Sequence, residues 1–168
     1  MIEIRLANQQ DIEALTVLRV EQQIEDWENT LPSTNFKQFG TEFEKVVAQH
    51  LETYLNKSIY FEIMYIDGVP VAMCGLEELN ELPQITVCLD KNYRHGSIVS
   101  VYTRPKYRGK GYQQQLVHAI LCFAADEGFS DITLTTNTAD AIHIYEKVGF
   151  QYISNKYYLD VKRRVNQE

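Results

Sequence analysis

One stretch concentrates the groups that could do chemistry: Val101-Tyr-Thr-Arg-Pro-Lys-Tyr-Arg108-Gly109-Lys110-Gly111-Tyr112-Gln113. A strand-like run ends, a loop with two glycines and several basic residues follows, and a helical pattern starts at once. The first N–H groups of such a helix have no intrahelical partner. They point outward together with the positive end of the macrodipole. Gly109 and Gly111 permit the turn and let a bulky anion come close to the backbone. The product is an anion site, most naturally for phosphate or pyrophosphate. The loop is no Walker A sequence, because no Gly-Lys-Ser/Thr follows four spacer residues, and it is no GxGxxG at the end of a first βα unit. Taken alone, a Gly-x-Gly at a helix start is as readily a tight strand–helix connection whose basic residues are solvated.

A second group of residues carries ionisable side chains. Tyr145 lies at helical spacing from Ala141 and Val148, so it is either a packed tyrosine or, with an ordinary pKa of about 10, a proton donor. Glu77 and Glu78 end a strand-like run and point to opposite faces, so at most one faces a given cleft. His95 precedes the central apolar strand and is a secondary candidate for a base. No histidine pair shows the HxxxH or HExxH pattern, so no metal site is expected. Cys74 and Cys122 fall in apolar runs and read as core thiols. Trp27, Tyr65 and Tyr93 lie beside loops, where they either border a cavity or pack.

These residues need elements to position them. Ile2, Ile4 and Leu6 alternate with polar residues, a short strand. Asn8 or Gln9 then opens a helix with Ile12, Leu15 and Leu18 on one face. Residues 26–40 read as irregular. Thr41-x-x-Glu44 reads as a capping box ahead of a helix bearing Phe43, Val46, Val47, His50, Leu51, Tyr54 and Leu55. Residues 58–66 and 70–76 are β-rich and joined by Asp67-Gly68, a type I′ hairpin signal. Residues 85–89 allow a short strand before a turn-like segment. Residues 97–103 are apolar on both faces, as in a central strand. A helix follows from Gly111 to Glu127, with Gly128 as its stop. Residues 131–136 are strand-like, 139–148 form a short helix stopped by Gly149, and 150–154 and 157–161 are expected strands. The alternation of both element types implies a mixed α/β domain.

Length and composition bound the reading. The chain has 168 residues, 45% hydrophobic and 23% charged, which suits one soluble domain over 1–168. Sixteen Lys+Arg against 23 Asp+Glu give a net charge of −7, which argues against wholesale nucleic-acid or anionic-membrane binding. Cys74, Cys88 and Cys122 form no CxxC, and their odd number favours free thiols in a reducing compartment. The start, Met1-Ile-Glu-Ile-Arg-Leu6, mixes charge into its apolar residues and is no signal peptide. The longest apolar run, residues 119–125, is too short for a bilayer, which needs about 20 residues. A cytoplasmic protein is therefore expected.

Three motifs, in order along the chain, resemble the GCN5-related N-acetyltransferase (GNAT) superfamily. Arg108-Gly-Lys-Gly111 resembles that family's Arg/Gln-x-x-Gly-x-Gly/Ala loop. Ala141-Ile-His-Ile-Tyr145-Glu-Lys-Val-Gly149-Phe150 resembles its second signature, Ala-x-x-x-Tyr-Glu-Lys-x-Gly-Phe. Ile4-Arg-Leu-Ala7 followed by Asp11-Ile12 is similar to its usual start.

The resemblance implies a twisted, mostly antiparallel mixed sheet of about six or seven strands with helices on both faces. It implies an acetyl-CoA co-substrate and an acetyl group passed to a primary amine of a small molecule or peptide. The strand before the loop would splay from residues 131–136 so that the pantetheine arm inserts. Backbone groups of Val101, Tyr102 and Thr103 would then hold the arm and the acetyl carbonyl. Backbone amides of Arg108, Gly109, Lys110, Gly111, Tyr112 and Gln113 would hold the pyrophosphate. Asn137 would contact the pantetheine, and Tyr145 would protonate the departing thiolate. Glu77 is the candidate base for an amine that is mostly protonated at neutral pH. Relatives of this kind often form homodimers, and a homodimer is one expected assembly. The chain departs from the family pattern in three places: Gln113 stands where Gly or Ala is usual, Thr138 where Asn is frequent, and residues 97–103 hold no acidic residue. These departures keep a second reading open, a catalytically silent CoA-binding sensor or partner-binding module on the same fold. Residues 24–40 and 77–96 are expected to line the acceptor pocket, and Glu25, Asp26, Glu28, Glu78 and Glu81 suggest a cationic amine.

Overall fold

The computed structural model describes residues 1–80, 92–136 and 139–152. Among these, five strands form one sheet in the order β1 (Ile2–Leu6), β2 (Ile59–Ile66), β3 (Val69–Leu79), β4 (His95–Thr103) and β5 (Asp131–Leu134). Neighbours are antiparallel except β4 and β5, which run parallel. A parallel pair needs a crossover, and helix α3 (Tyr112–Asp126) supplies it. Helices α1 (Ile12–Thr30) and α2 (Gly40–Tyr54) follow β1, and α4 (Ala139–Lys147) follows β5. The sheet has five strands among the described residues against the six or seven expected. Residues 150–152 are not strand, and the remainder of the strands expected at 150–154 and 157–161 lies outside the described residues, as do the short strand at 85–89 and Cys88.

The alternation of apolar residues produces two cores, one on each face of the sheet. Leu15, Leu18, Val47, Leu51, Phe61, Ile63 and Met73 form the core under α1 and α2. Met64, Ala72, Cys74, Leu76, Ile98, Leu116, Ile120 and Tyr145 form the core under α3 and α4. The β2–β3 turn has φ of 50° at Asp67 and 78° at Gly68, the two positive values a type I′ turn requires.

The capping box sits elsewhere than expected. Thr41 lies inside α2, because a 3-10 turn over Phe36–Phe39 runs directly into the helix and puts its N-cap at Phe39. The box is formed instead at the start of α1: Asn8 Oδ1 accepts from the Gln10 N–H, and Asp11 Oδ2 accepts from the Asn8 N–H, both at 2.8 Å. Helix α1 also runs to Thr30, well into the stretch expected to be irregular. In α2 only Val47 and Leu51 are buried, while Val46 on the expected apolar face is 60% exposed.

Asp11 ties β1, α1 and β2 together. Its carboxylate accepts from Arg5 at 2.6 and 2.8 Å and from the Tyr65 hydroxyl at 2.8 Å. Burial works to raise its pKa, but these hydrogen bonds and the Arg5 charge outweigh burial and pull it from 3.8 to about 2. A carboxyl depressed in the folded state stabilises fully above its unfolded pKa and loses that contribution as pH falls through the folded value. Wild-type stability should therefore fall by about 2 kcal/mol between about pH 4 and pH 2 from this group. Urea unfolding of Asp11→Asn should show a lower stability at neutral pH and a flatter curve across that window. An undiminished acid slope in the variant would contradict this account.

Candidate functional site

Strands β4 and β5 part company midway. His95 pairs with Asp131, Gly96 with Ile132, Ser97 with Thr133 and Ile98 with Leu134; there the ladder ends. Strand β4 continues to Thr103 with β3 on one side, and along residues 99–103 no strand of the described residues pairs on the other. A bulge lies at the parting point. Tyr102 faces Met73 and Val99 faces Gly75, one residue more on β4 than on β3, and Ser100 takes up the excess with φ of 51°. The bulge directs the Val101 carbonyl toward α1, where Gln22 Nε2 donates to it at 3.2 Å. Arg19 donates to Gln22 Oε1 at 2.9 Å, which fixes the end of the amide that faces β4.

Alternation settles the rest of the edge. The Arg104 N–H donates to the Val71 carbonyl at 3.0 Å, so Tyr102, two residues earlier, also directs its backbone groups to β3. Thr103 therefore turns its own groups to the fork. Its carbonyl accepts from Arg108 Nε at 2.8 Å, which leaves its N–H directed into the gap. The Thr103 Oγ1 atom is buried with no partner among the described residues.

The fork opens onto the glycine turn. Gly109 and Gly111 have φ of 75° and 74°, the left-handed region that glycine adopts without strain. A Cβ built on either would meet nothing within 4 Å. Gly111 is the N-cap of α3 and no side chain caps the helix. The Gln115 N–H donates to the Gly111 carbonyl at 3.2 Å, so the amides ahead of it lack an intrahelical acceptor. An open cavity of about 500 Å³ lies beside this turn, lined by Gly111, Gln114, Gln115 and His118.

The basic residues around the loop are already engaged. Arg104 makes two bonds of 2.7 Å to Glu21, and Arg108 makes two of 2.7 Å to Glu25. The Arg108 hydrogen bond and charge hold the Glu25 carboxyl below the usual carboxylate range. Lys106 and Lys110 stand over the Tyr107 ring at 4.9 and 5.8 Å. Glu25 and, below, Glu78 are thus paired with arginines, and Glu81 lies outside the described residues. The clasp of Glu21 and Glu25 on Arg104 and Arg108, and Gln22 with it, escaped the sequence reading. Its one signal is the i, i+4 spacing of the acids, which puts both on one side of α1.

Tyr145 packs in the core under α3 and α4, 8% exposed, with its ring edge-on to Phe150 at 5.9 Å. Burial, with the Cys74 sulfur nearby, pushes its hydroxyl up to about 12, above the ordinary value assumed from sequence. The two glutamates separate as alternation requires. Glu78 makes two 2.8 Å bonds to Arg94, whose guanidinium stacks 4.3 Å from the Phe129 ring, on the α3 face. Arg94 holds the Glu78 carboxyl below the usual range. Glu77 lies on the opposite face, half-buried, between Ile59 and Ser97 in register. Asn137 lies outside the described residues. Trp27 approaches Phe36 at 6.0 Å, Tyr65 serves Asp11, and Tyr93 donates to Asp131 at 2.6 Å. No group of three or more potential metal ligands occurs among the described residues, and none of their helices is long and apolar enough to cross a membrane.

The chain is similar to known proteins. The model of the acetyltransferase (GNAT) family matches residues 21–150. N-acetyltransferase family 8 member 2 of Rattus norvegicus is 34% identical over 121 residues, covering 71% of this chain and 50% of that protein. The chain spans about half the length of the curated relatives it matches. A predicted acetyltransferase of Clostridium acetobutylicum, in a crystal structure with acetyl-CoA, superposes with a TM-score of 0.78 at 22% identity, covering 97% of this chain and 98% of that one. A GCN5-related N-acetyltransferase from Ralstonia eutropha JMP134 gives a TM-score of 0.74 at 20% identity over 95% and 99% of the two chains.

Proposed function

The chain belongs to the acetyltransferase (GNAT) family, and from that premise we propose that it moves an acetyl group from acetyl-CoA to a primary amine of a small molecule or peptide. The observation that carries this reading is the fork between β4 and β5, which opens directly onto a glycine turn at a helix N-terminus. The Arg108 amide is taken by the Pro105 carbonyl, but the amides that open α3 without an intrahelical acceptor and the positive end of that helix suit a diphosphate. The space in front of Gly109 and Gly111, where a Cβ would project, leaves room for it. Arg108 serves by shaping: its side chain spans Thr103 and Glu25, and backbone amides do the gripping.

The bound thioester supplies an activated acyl carbon; the chain supplies position and charge. The free edge of β4 aligns the pantetheine arm as an added strand would lie. The Thr103 N–H, at that edge, is a donor for the arm or for charge developing on the acyl oxygen. Holding both reactants in one cleft removes much of the entropic barrier.

Tyr145 stands on the α3 face of the sheet, where the sulfur leaves. With a pKa near 12 it keeps its proton throughout the neutral range. An ordinary thiol titrates at about 8.5, so complete transfer from Tyr145 is uphill by about 5 kcal/mol. Tyr145 therefore donates a hydrogen bond to the departing sulfur and keeps its own proton, and the proton that neutralises the thiolate is the one that the new amide nitrogen sheds.

Incubation with acetyl-CoA and a panel of primary amines, followed by free-thiol release and mass spectrometry, tests this reading. Thiol and acetylated amine should appear in equal amounts. Acetyl-CoA binding without turnover on any amine would favour the silent CoA-binding module instead.

A further inference from the structure

Across the sheet from Tyr145, on the α1 and α2 face, a polar row runs beneath the fork. Ile132 and Leu134 pack into the opposite core, so Asp131 and Thr133 face this side. A Cβ on Gly96 would fall 2.7 Å from Leu76 on the α3 face, so His95 and Ser97 also face this side. In register, Glu77, Ser97 and Thr133 form one rung and His95 and Asp131 the next. The rung of Thr133 lies one step, about 3.3 Å, below the last pair of the ladder, where β4 and β5 separate.

His95 is 8% exposed and held on both ring nitrogens. Nδ1 bonds the Asp131 carboxylate, whose other oxygen accepts from Tyr93 Oη at 2.6 Å. Burial works to raise the Asp131 pKa, but the bonds from Tyr93 and His95 outweigh it and keep the group a carboxylate. A carboxylate only accepts, so Nδ1 carries the hydrogen and Nε2 of the neutral ring is an acceptor. Thr133 Oγ1 lies 3.2 Å from Nε2 and is half-buried, so it is the route from the imidazole to the face of the fork.

We propose that His95, oriented by Asp131, accepts the proton of the acceptor ammonium through the Thr133 hydroxyl. The ammonium gives a proton to Thr133 Oγ1 as Thr133 passes its own to His95 Nε2. The neutral amine then attacks the acyl carbon, and the imidazolium, facing Asp131, later releases its proton to solvent. The second nitrogen proton goes to the sulfur side, so one proton is released overall for each ammonium acetylated. The inference rests on the acetyl-transfer reading and gives it a base on the face opposite the leaving group. Other ionisable groups near the imidazole are Tyr93, stacked on it, and Glu77, one rung away on β3; the Arg94–Glu78 pair lies on the other face.

The test compares two acceptors, ethylamine and trifluoroethylamine, the second already neutral at pH 7. His95→Gln should lower kcat/KM for ethylamine at pH 7 on the order of 100-fold. It should lower that for trifluoroethylamine only a few-fold, and the ethylamine deficit should shrink as pH rises. Thr133→Val keeps a β-branched strand residue and should reproduce the same selective loss with an unchanged acetyl-CoA Kd. Equal losses with both amines, at unchanged Kd, would overturn the relay while leaving acetyl transfer intact. Failure of the wild type to acetylate these two amines or any other of the panel would overturn the acetyl-transfer reading itself, and the relay with it.

Discussion

Tyr145→Phe lowers kcat for acetyl transfer on the order of 100-fold while the acetyl-CoA Kd stays within a few-fold of wild type. The split follows from position. The ring is buried among Cys74, Ile98 and the α3 core, and phenylalanine fills the same volume, so packing and co-substrate binding persist. What disappears is the donor that the sulfur meets as negative charge develops on it. Because the Tyr145 pKa is raised to about 12, the wild-type rate should show no fall from its ionisation across the neutral and mildly alkaline range. A variant with wild-type kcat would remove Tyr145 from proton transfer and leave it a core residue.

Gly111→Val raises the acetyl-CoA Kd by at least about 100-fold, the equivalent of about 2.7 kcal/mol. Two effects add. Gly111 has φ of 74°, where a β-branched residue is strained by roughly 1–3 kcal/mol, so the start of α3 shifts or the fold loses stability. The new Cβ also projects into the space before the helix N-terminus, where it meets no protein atom within 4 Å and stands in the way of a ligand. Gly111→Asn separates the effects, since asparagine tolerates left-handed backbone. It should melt close to wild type and still bind acetyl-CoA more weakly. Calorimetry showing normal affinity in Gly111→Asn and Gly111→Val would refute the loop assignment.

Local features of the fold were legible where one residue type dictates a conformation. Asp67-Gly68 announced its turn, and Gly128 and Gly149, at φ of 79° and 104°, stop α3 and α4 as expected. The glycine loop was legible for the same reason, because strand, glycines and helix start are all local. Boundaries that depend on neighbours were not. Thr41 matches a capping box in isolation, but the preceding 3-10 turn hands its last residues to α2 and moves the cap to Phe39. Helix α1 extends to Thr30 because Glu21 and Glu25 are held by arginines of the β4 end, some 83 positions away. No periodicity within α1 could report that partner. The polar row of Glu77, Ser97 and Thr133 is likewise a product of strand register, which a sequence without its pairing does not contain.

In the proposed reaction a gap between two parallel strands receives a thioester arm while a bare helix start grips its diphosphate. Calorimetric titration of the wild-type chain with acetyl-CoA, beside S-acetylpantetheine that lacks the diphosphate, tests it most directly. The predicted result is saturable one-site heat for acetyl-CoA and much weaker binding of the shortened thioester. Absence of any heat with acetyl-CoA, or equal affinity for the two, would contradict it.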